Sequence, residues 1–153
     1  MRMLNLIEAP YCVDLISKWH YDAWGALYPD QTLDGFRRDL IDSLSADPVP
    51  SSWVLEEDGA VIGSASIIMH DMSTNTDLSP WLANVFIRPD KRGRGLGTQL
   101  VLCAQNEIGK LGVSTLYLYT EDTEGFYEKL GWRVLREELY EGRRVSIMKY
   151  TCG

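Results

Sequence analysis

Glycine stands at every second position in Gly93-Arg94-Gly95-Leu96-Gly97, where one hydrophobic period gives way to another. Before the glycines, Trp81–Arg88 reads as a strand that Pro89 stops. After them, Leu96, Leu100, Val101, Ala104 and Ile108 recur at helical spacing through about Leu111. A turn that feeds a helix leaves backbone N–H groups unpaired at the helix N-terminus, where the peptide dipoles also favour an anion. Glycine can take positive φ, so successive amides can turn into one concavity. Arg92 and Arg94 add positive charge beside it. A diphosphate is the natural guest. The run contains no GxxxxGK[ST] phosphate loop, and Thr98 stands where the dinucleotide fingerprint GxGxxG needs its third glycine.

The rest of the chain predicts strands and helices around this turn. Met3–Ile7 reads as a short strand. Pro10 opens a helix with Cys12, Leu15, Ile16, Trp19 and Ala23 inward, closed by Gly25 and Pro29. Thr32 caps a second helix running to about Ser45, with Leu33, Phe36, Leu40, Ile41 and Leu44 inward. Ser52–Glu57 and Ala60–Met69 form a hairpin about Asp58-Gly59. A polar loop, Asp71–Pro80, follows. Val113–Tyr119 is a strand and Glu124–Leu130 a short helix ended by Gly131. Trp132–Tyr140 and Arg144–Tyr150 close the chain as a hairpin. This order predicts a mixed α+β fold with helices on both faces of the sheet, built as one domain over 1–153.

Composition limits the functional classes. With 153 residues, 45% hydrophobic and 24% charged, the chain reads as an ordinary globular protein. No apolar run reaches the roughly 18 residues of a membrane span, and the first residues do not read as a signal peptide. Cys12, Cys103 and Cys152 show no metal spacing, and reduced thiols in a cytoplasmic protein are expected. A net charge of −7 repels nucleic acid and anionic lipid. Yet Arg88, Lys91, Arg92 and Arg94 gather four of the fifteen basic residues in one short window. An acidic body with one basic spot suits a protein that holds one anion and attracts a cation elsewhere.

A second run, Glu124-Gly125-Phe126-Tyr127-Glu128-Lys129-Leu130-Gly131-Trp132, sets an aromatic pair on a short helix before Leu-Gly-aromatic. Together with Arg92, Gly95 and Gly97 in the spacing RxxGxG, it resembles the two signatures of the GNAT superfamily of N-acetyltransferases. The resemblance spans roughly Trp81 to Trp132. It implies the acyl-CoA N-acyltransferase fold, a central twisted, mostly antiparallel sheet of about seven strands. It implies acetyl-coenzyme A as co-substrate, with no metal. The diphosphate would lie on Arg92, Gly93, Arg94, Gly95, Leu96, Gly97 and Thr98, and the pantetheine arm on the backbone of Val85, Phe86 and Ile87. Tyr127 would protonate the leaving thiolate. A phenol near pKa 10 can donate to a thiolate whose conjugate acid lies near 8.5. Two positions depart from the common pattern. Thr120 stands where many members have a coenzyme-bonding asparagine, although Thr120-Glu121-Asp122 before Phe126-Tyr127 is similar to a branch that includes actin N-terminal acetyltransferases. Ala83 and Asn84 occupy the stretch where members often place a carboxylate base, so a base must come from elsewhere, act through water, or be dispensable.

Candidates for the acceptor region carry two readings each. His70 can accept an ammonium proton or be a solvated loop histidine. Asp71, Asp77 and Glu121 can attract a cation or simply be solvated. Trp24 and Tyr28, near His20 and Asp30, can wall an amine pocket through cation–π contact or pack in the core. The acidic balance favours a cationic amine: an aminoglycoside, a polyamine or a protein N-terminus. Transfer would be direct, in a ternary complex, with the acetyl carbonyl polarised by a backbone N–H near Phe86. The alternative function is a sensor or regulatory domain that holds acetyl-coenzyme A without turnover. Oligomeric state is open, a homodimer included.

Overall fold

The computed structural model describes residues 1–152. Among them, seven strands form one sheet in the order β1-β2-β3-β4-β5-β7-β6. The strands are β1 (Arg2–Asn5), β2 (Ser51–Glu57), β3 (Ala60–Ile68), β4 (Trp81–Ile87), β5 (Thr115–Thr120), β6 (Arg133–Tyr140) and β7 (Arg143–Thr151). Neighbours pair antiparallel except β4 and β5, which run parallel. The helices are α1 (Val13–Trp24), α2 (Leu33–Asp42), α3 (Leu96–Lys110) and α4 (Glu124–Glu128). This is the α+β architecture expected from the sequence. No helix among the described residues is long and apolar enough to cross a membrane.

Alternation along the strands sends apolar side chains to both faces of the sheet, and a third buried cluster gathers Met72, Trp81, Val145 and Ile147. Trp53, Leu55, Ile62 and Ile67 face α3, whose Leu96, Leu100, Val101 and Ile108 are buried against them. Val54 and Val61 face Ile16 of α1 and Leu40 of α2. Thr32 caps α2 as predicted, its Oγ1 accepting the Gly35 N–H at 3.0 Å.

The N-terminal third departs from the sequence reading. The first strand stops at Asn5, because the Asn5 side chain accepts the Ile7 N–H at 3.0 Å and Leu6–Glu8 turn into a 3₁₀ helix. A second 3₁₀ turn, Pro10–Cys12, precedes α1. The buried face of α1 is Val13, Ile16, Ser17 and His20, whereas Leu15 and Ala23 point to solvent. Leu33 on α2 is likewise exposed. The helix α2 ends at Asp42 rather than near Ser45, where the Ser43 hydroxyl turns back to donate to the Leu40 carbonyl at 2.6 Å.

Candidate active site

β4 and β5 meet at a single register position, Trp81 opposite Tyr117, supported by the Tyr117 N–H donating to the Pro80 carbonyl at 3.0 Å. Past it the two strands part. Both run in the same direction, so α3 after β4 and α4 after β5 begin on the same side of the molecule. The helix starts converge: a Cβ added to Gly97 would lie 3.7 Å from the tip of the Phe126 ring. The glycine turn and the tyrosine helix, distant in sequence, therefore flank one opening.

β4 is bent at the opening. Ser64 pairs with Phe86 and Ser66 with Ala83, so β4 carries one residue more than β3 across this interval. Asn84 takes up the extra length at φ 56°, a left-handed conformation that asparagine tolerates better than most residues. Close strand approach supports the bulge, since a Cβ on Gly63 would come within 2.9 Å of the Phe86 carbonyl oxygen. On the helix side, Phe86 stacks on Trp19 at 5.4 Å and lies edge-on to Trp24 at 6.0 Å.

The glycine turn has the backbone its composition predicts. Gly93 and Gly95 sit at φ 80° and 75°, and Gly95 is the residue before the first turn of α3. Nothing lies within 4 Å of a Cβ built on either, so conformation and not space calls for glycine there. Arg92 Nε donates to the Ile87 carbonyl at 2.8 Å. Arg94 does not project as a free charge. It forms a bidentate pair with Glu57 at 3.2 and 2.8 Å, and Lys91 approaches the same carboxylate at 3.7 Å. Their hydrogen bonds and charge hold the Glu57 carboxyl below its ordinary range. Leu96 is buried in the core, and Gly97 and Thr98 lie in the first turn of α3.

A cavity of about 570 Å³ fills the space where β4 and β5 separate. Tyr127 lines it with Val85, Thr120, Trp24, Tyr28 and Asp71. Burial pushes the Tyr127 hydroxyl up to about 12, so the phenol stays protonated. Thr120 Oγ1 is engaged locally, bonding the Thr123 hydroxyl and accepting the Thr123 N–H at 3.2 Å. Glu121 also lines the cavity, but Arg143 pairs with it at 3.1 Å, so it is not the free anion expected. The Tyr28 hydroxyl meets that of Tyr119 at 3.2 Å, spanning from the α1–α2 join to β5. Phe86 and Ile87 are buried, and neither lines the cavity.

Asp71 is the unusual group. It lines the first cavity and a second one of about 420 Å³ between α2 and β3, and burial pushes its carboxyl up to about 7. His70 reaches only the second cavity and is exposed. His20, by contrast, is buried, bonds Ser64 Oγ through Nε2 at 3.0 Å, and is held near pKa 4 by desolvation. Sequence reasoning named Asn84 only as a position without a carboxylate and passed over Tyr119 and Tyr140, and all three line the first cavity. Gly63 inside a strand was the available signal for the bulge that places Asn84. Among the described residues, no cluster of three or more His, Cys, Asp or Glu side chains is placed to hold a metal ion.

A model of the acetyltransferase (GNAT) domain matches residues 49–134, more than half of the chain and both motifs. The chain belongs to this acetyltransferase family. No curated protein matches it in sequence. Among solved structures, an aminoglycoside 6'-N-acetyltransferase complexed with coenzyme A superposes with a TM-score of 0.78 at 16% identity, over 100% of this chain and 98% of the other. The aminoglycoside 6'-N-acetyltransferase from Enterococcus faecium gives 0.75 at 17%, with the same coverage. A ribosomal-protein-alanine N-acetyltransferase from Brucella melitensis gives 0.76 at 19%, over 99% of each chain. These similarities establish the fold.

Proposed function

We propose that residues 1–153 form one domain that transfers an acetyl group from acetyl-coenzyme A to a primary amine of a small cationic molecule or a peptide, by direct transfer in a ternary complex. One observation carries this reading: the glycine turn opens α3 with Gly97 beside Phe126, the neighbour of Tyr127 on α4, at the ends of two parallel strands that separate past Trp81. One aminoglycoside 6'-N-acetyltransferase of the same fold is described as complexed with coenzyme A, which supports the choice of thioester. A cytoplasmic setting, the ordinary source of that thioester, completes the proposal.

The left-handed glycines and the N-terminus of α3 fit a diphosphate, since they gather backbone donors in open space. The β4 edge beyond Trp81 lacks a β5 partner, so the backbone of Val85, Phe86 and Ile87 is available to an extended amide arm. Acetyl-coenzyme A supplies an activated acyl group on sulfur. Asp71 accepts the proton that the attacking amine must lose, directly or through one water, because a carboxyl near 7 is suited to that exchange at neutral pH. Tyr127 donates its hydroxyl proton to the departing sulfur. Trp24 and Tyr28 supply aromatic faces to the amine. The overall exchange balances as thioester plus amine giving amide plus thiol.

A thiol-release assay with acetyl-coenzyme A and a panel of amines tests the proposal. Release that depends on both substrates, with an intersecting initial-velocity pattern, supports it. Tight binding of acetyl-coenzyme A with no release for any amine supports instead a domain that senses the thioester.

A further inference from the structure

Beyond Asp71 and Tyr28, which it shares with the first cavity, the second cavity has no part in the proposed transfer, and its charge is one-sided. Asp39 and Asp42 line it from α2 and Asp71 from the loop after β3, while no Lys or Arg does so among the described residues. None of the three carboxylates has an ion-pair partner there. Asp39 and Asp42 lie one helical turn apart, and desolvation together with the Asp42 charge raises the Asp39 carboxyl. The floor is polar as well. Ser43, Ser52 and Ser66 form a buried hydroxyl chain at 2.7 and 2.8 Å, on the sheet face where α2 would otherwise bury apolar side chains. Hydroxyl oxygens with lone pairs to spare and unpaired carboxylates are the natural setting for an ammonium, which brings three donors and one positive charge.

The two cavities adjoin. Tyr28, Phe36, Asp71 and Asn84 line both, so Asp71 stands at their junction without a hydrogen-bond partner of its own. We infer that the second cavity holds a second cationic group of the acceptor, and hence that the acceptor is a small molecule with at least two amines. This rests on the acetyltransferase reading above and narrows its substrate. One amine faces Tyr127 across the first cavity, and the distal ammonium sits among Asp39, Asp42 and the serine floor. A peptide offering only its N-terminal amine would leave these carboxylates unanswered.

The test compares kcat/KM for α,ω-diamines of graded length with that for primary monoamines of matched length, using thiol release. One length range of diamine should exceed its monoamine by about tenfold or more, the equivalent of one charge-assisted contact. In a D39N/D42N variant the diamine-to-monoamine ratio should fall toward one. Both residues are exposed on α2, and an unchanged thermal midpoint confirms that the variant folds. Equal kcat/KM for diamines and monoamines, or a preference that survives in the variant, overturns the inference while leaving the acetyltransferase reading intact. Absence of turnover with every amine overturns both.

Discussion

Arg92 donates its Nε hydrogen to the Ile87 carbonyl over 2.8 Å while its guanidinium carbon lies 5.3 Å from the centre of the Phe86 ring. One side chain thereby clamps the glycine turn to the end of β4, and Phe86 carries that anchor through to Trp19 on α1. Replacing Arg92 with glutamine removes a charge-assisted bond and the cation–π contact together. KM for acetyl-coenzyme A should rise about tenfold or more, with the acceptor KM changed far less. Initial velocities with each substrate varied in turn measure both.

Tyr127→Phe keeps the ring against Phe126 and Trp132 and removes only the proton donor. We expect kcat to fall about 100-fold, with the dissociation constant of acetyl-coenzyme A nearly unchanged by calorimetry. Because burial lifts the hydroxyl to about 12, the wild-type rate should not show an alkaline loss from this group below about pH 10. An equal drop in binding and kcat would make the tyrosine structural.

The Asp71 carboxylate must be ionised to take a proton, and desolvation raises its carboxyl to about 7. The rate should therefore climb from about pH 5 and level off above about pH 7 when the amine is weakly basic. Asp71→Asn should lower kcat and flatten that limb. Tyr28 and Tyr119 face Asp71, and burial raises both, so neither ionises in this range. If His70→Gln removes the limb instead, the neighbouring histidine is the base.

Stability should also depend on pH, through His20. Its folded pKa of about 4 lies below the ordinary 6.5, so between those values the unfolded chain binds more protons. The stabilisation from keeping the ring neutral is complete above about pH 6.5 and lost as pH falls toward about 4, an effect of order 3 kcal/mol. Asp71, raised in the fold from its ordinary 3.8 to about 7, works in the opposite sense across that whole window. The difference between wild type and His20→Gln in urea titrations at pH 7 and pH 4.5 isolates the histidine. Parallel losses in the two proteins would show that His20 takes up its proton as readily in the fold as in the unfolded chain, contrary to this account.

How far the sequence revealed this arrangement depends on the range of the interaction. The β2–β3 hairpin, the Thr32 cap, the glycine turn and the α3 stripe are local, and each appears within one or two residues of its expected place. The α1 face was misread because His20 and Ser17 are buried in place of Leu15 and Ala23. A polar residue enters the core only when a distant partner such as Ser64 meets it, and periodicity counts apolar residues alone. The place of Tyr127 on a short helix was legible from its motif, and the cavity beside it was not. Asp71 was named as one of several loop carboxylates, and only the junction of two cavities singles it out. Nothing in the apolar stripe of α2 singles out Asp39 and Asp42, and only the second cavity brings them together with the serines of β2 and β3.

Co-crystallisation with coenzyme A tests the central claim most directly. The account predicts the diphosphate within hydrogen-bonding distance of the backbone N–H groups between Gly93 and Thr98, the pantetheine arm along the free edge of β4, and the sulfur beside the Tyr127 hydroxyl. Density for the coenzyme away from that turn, or a sulfur outside the Tyr127 cavity, would contradict it.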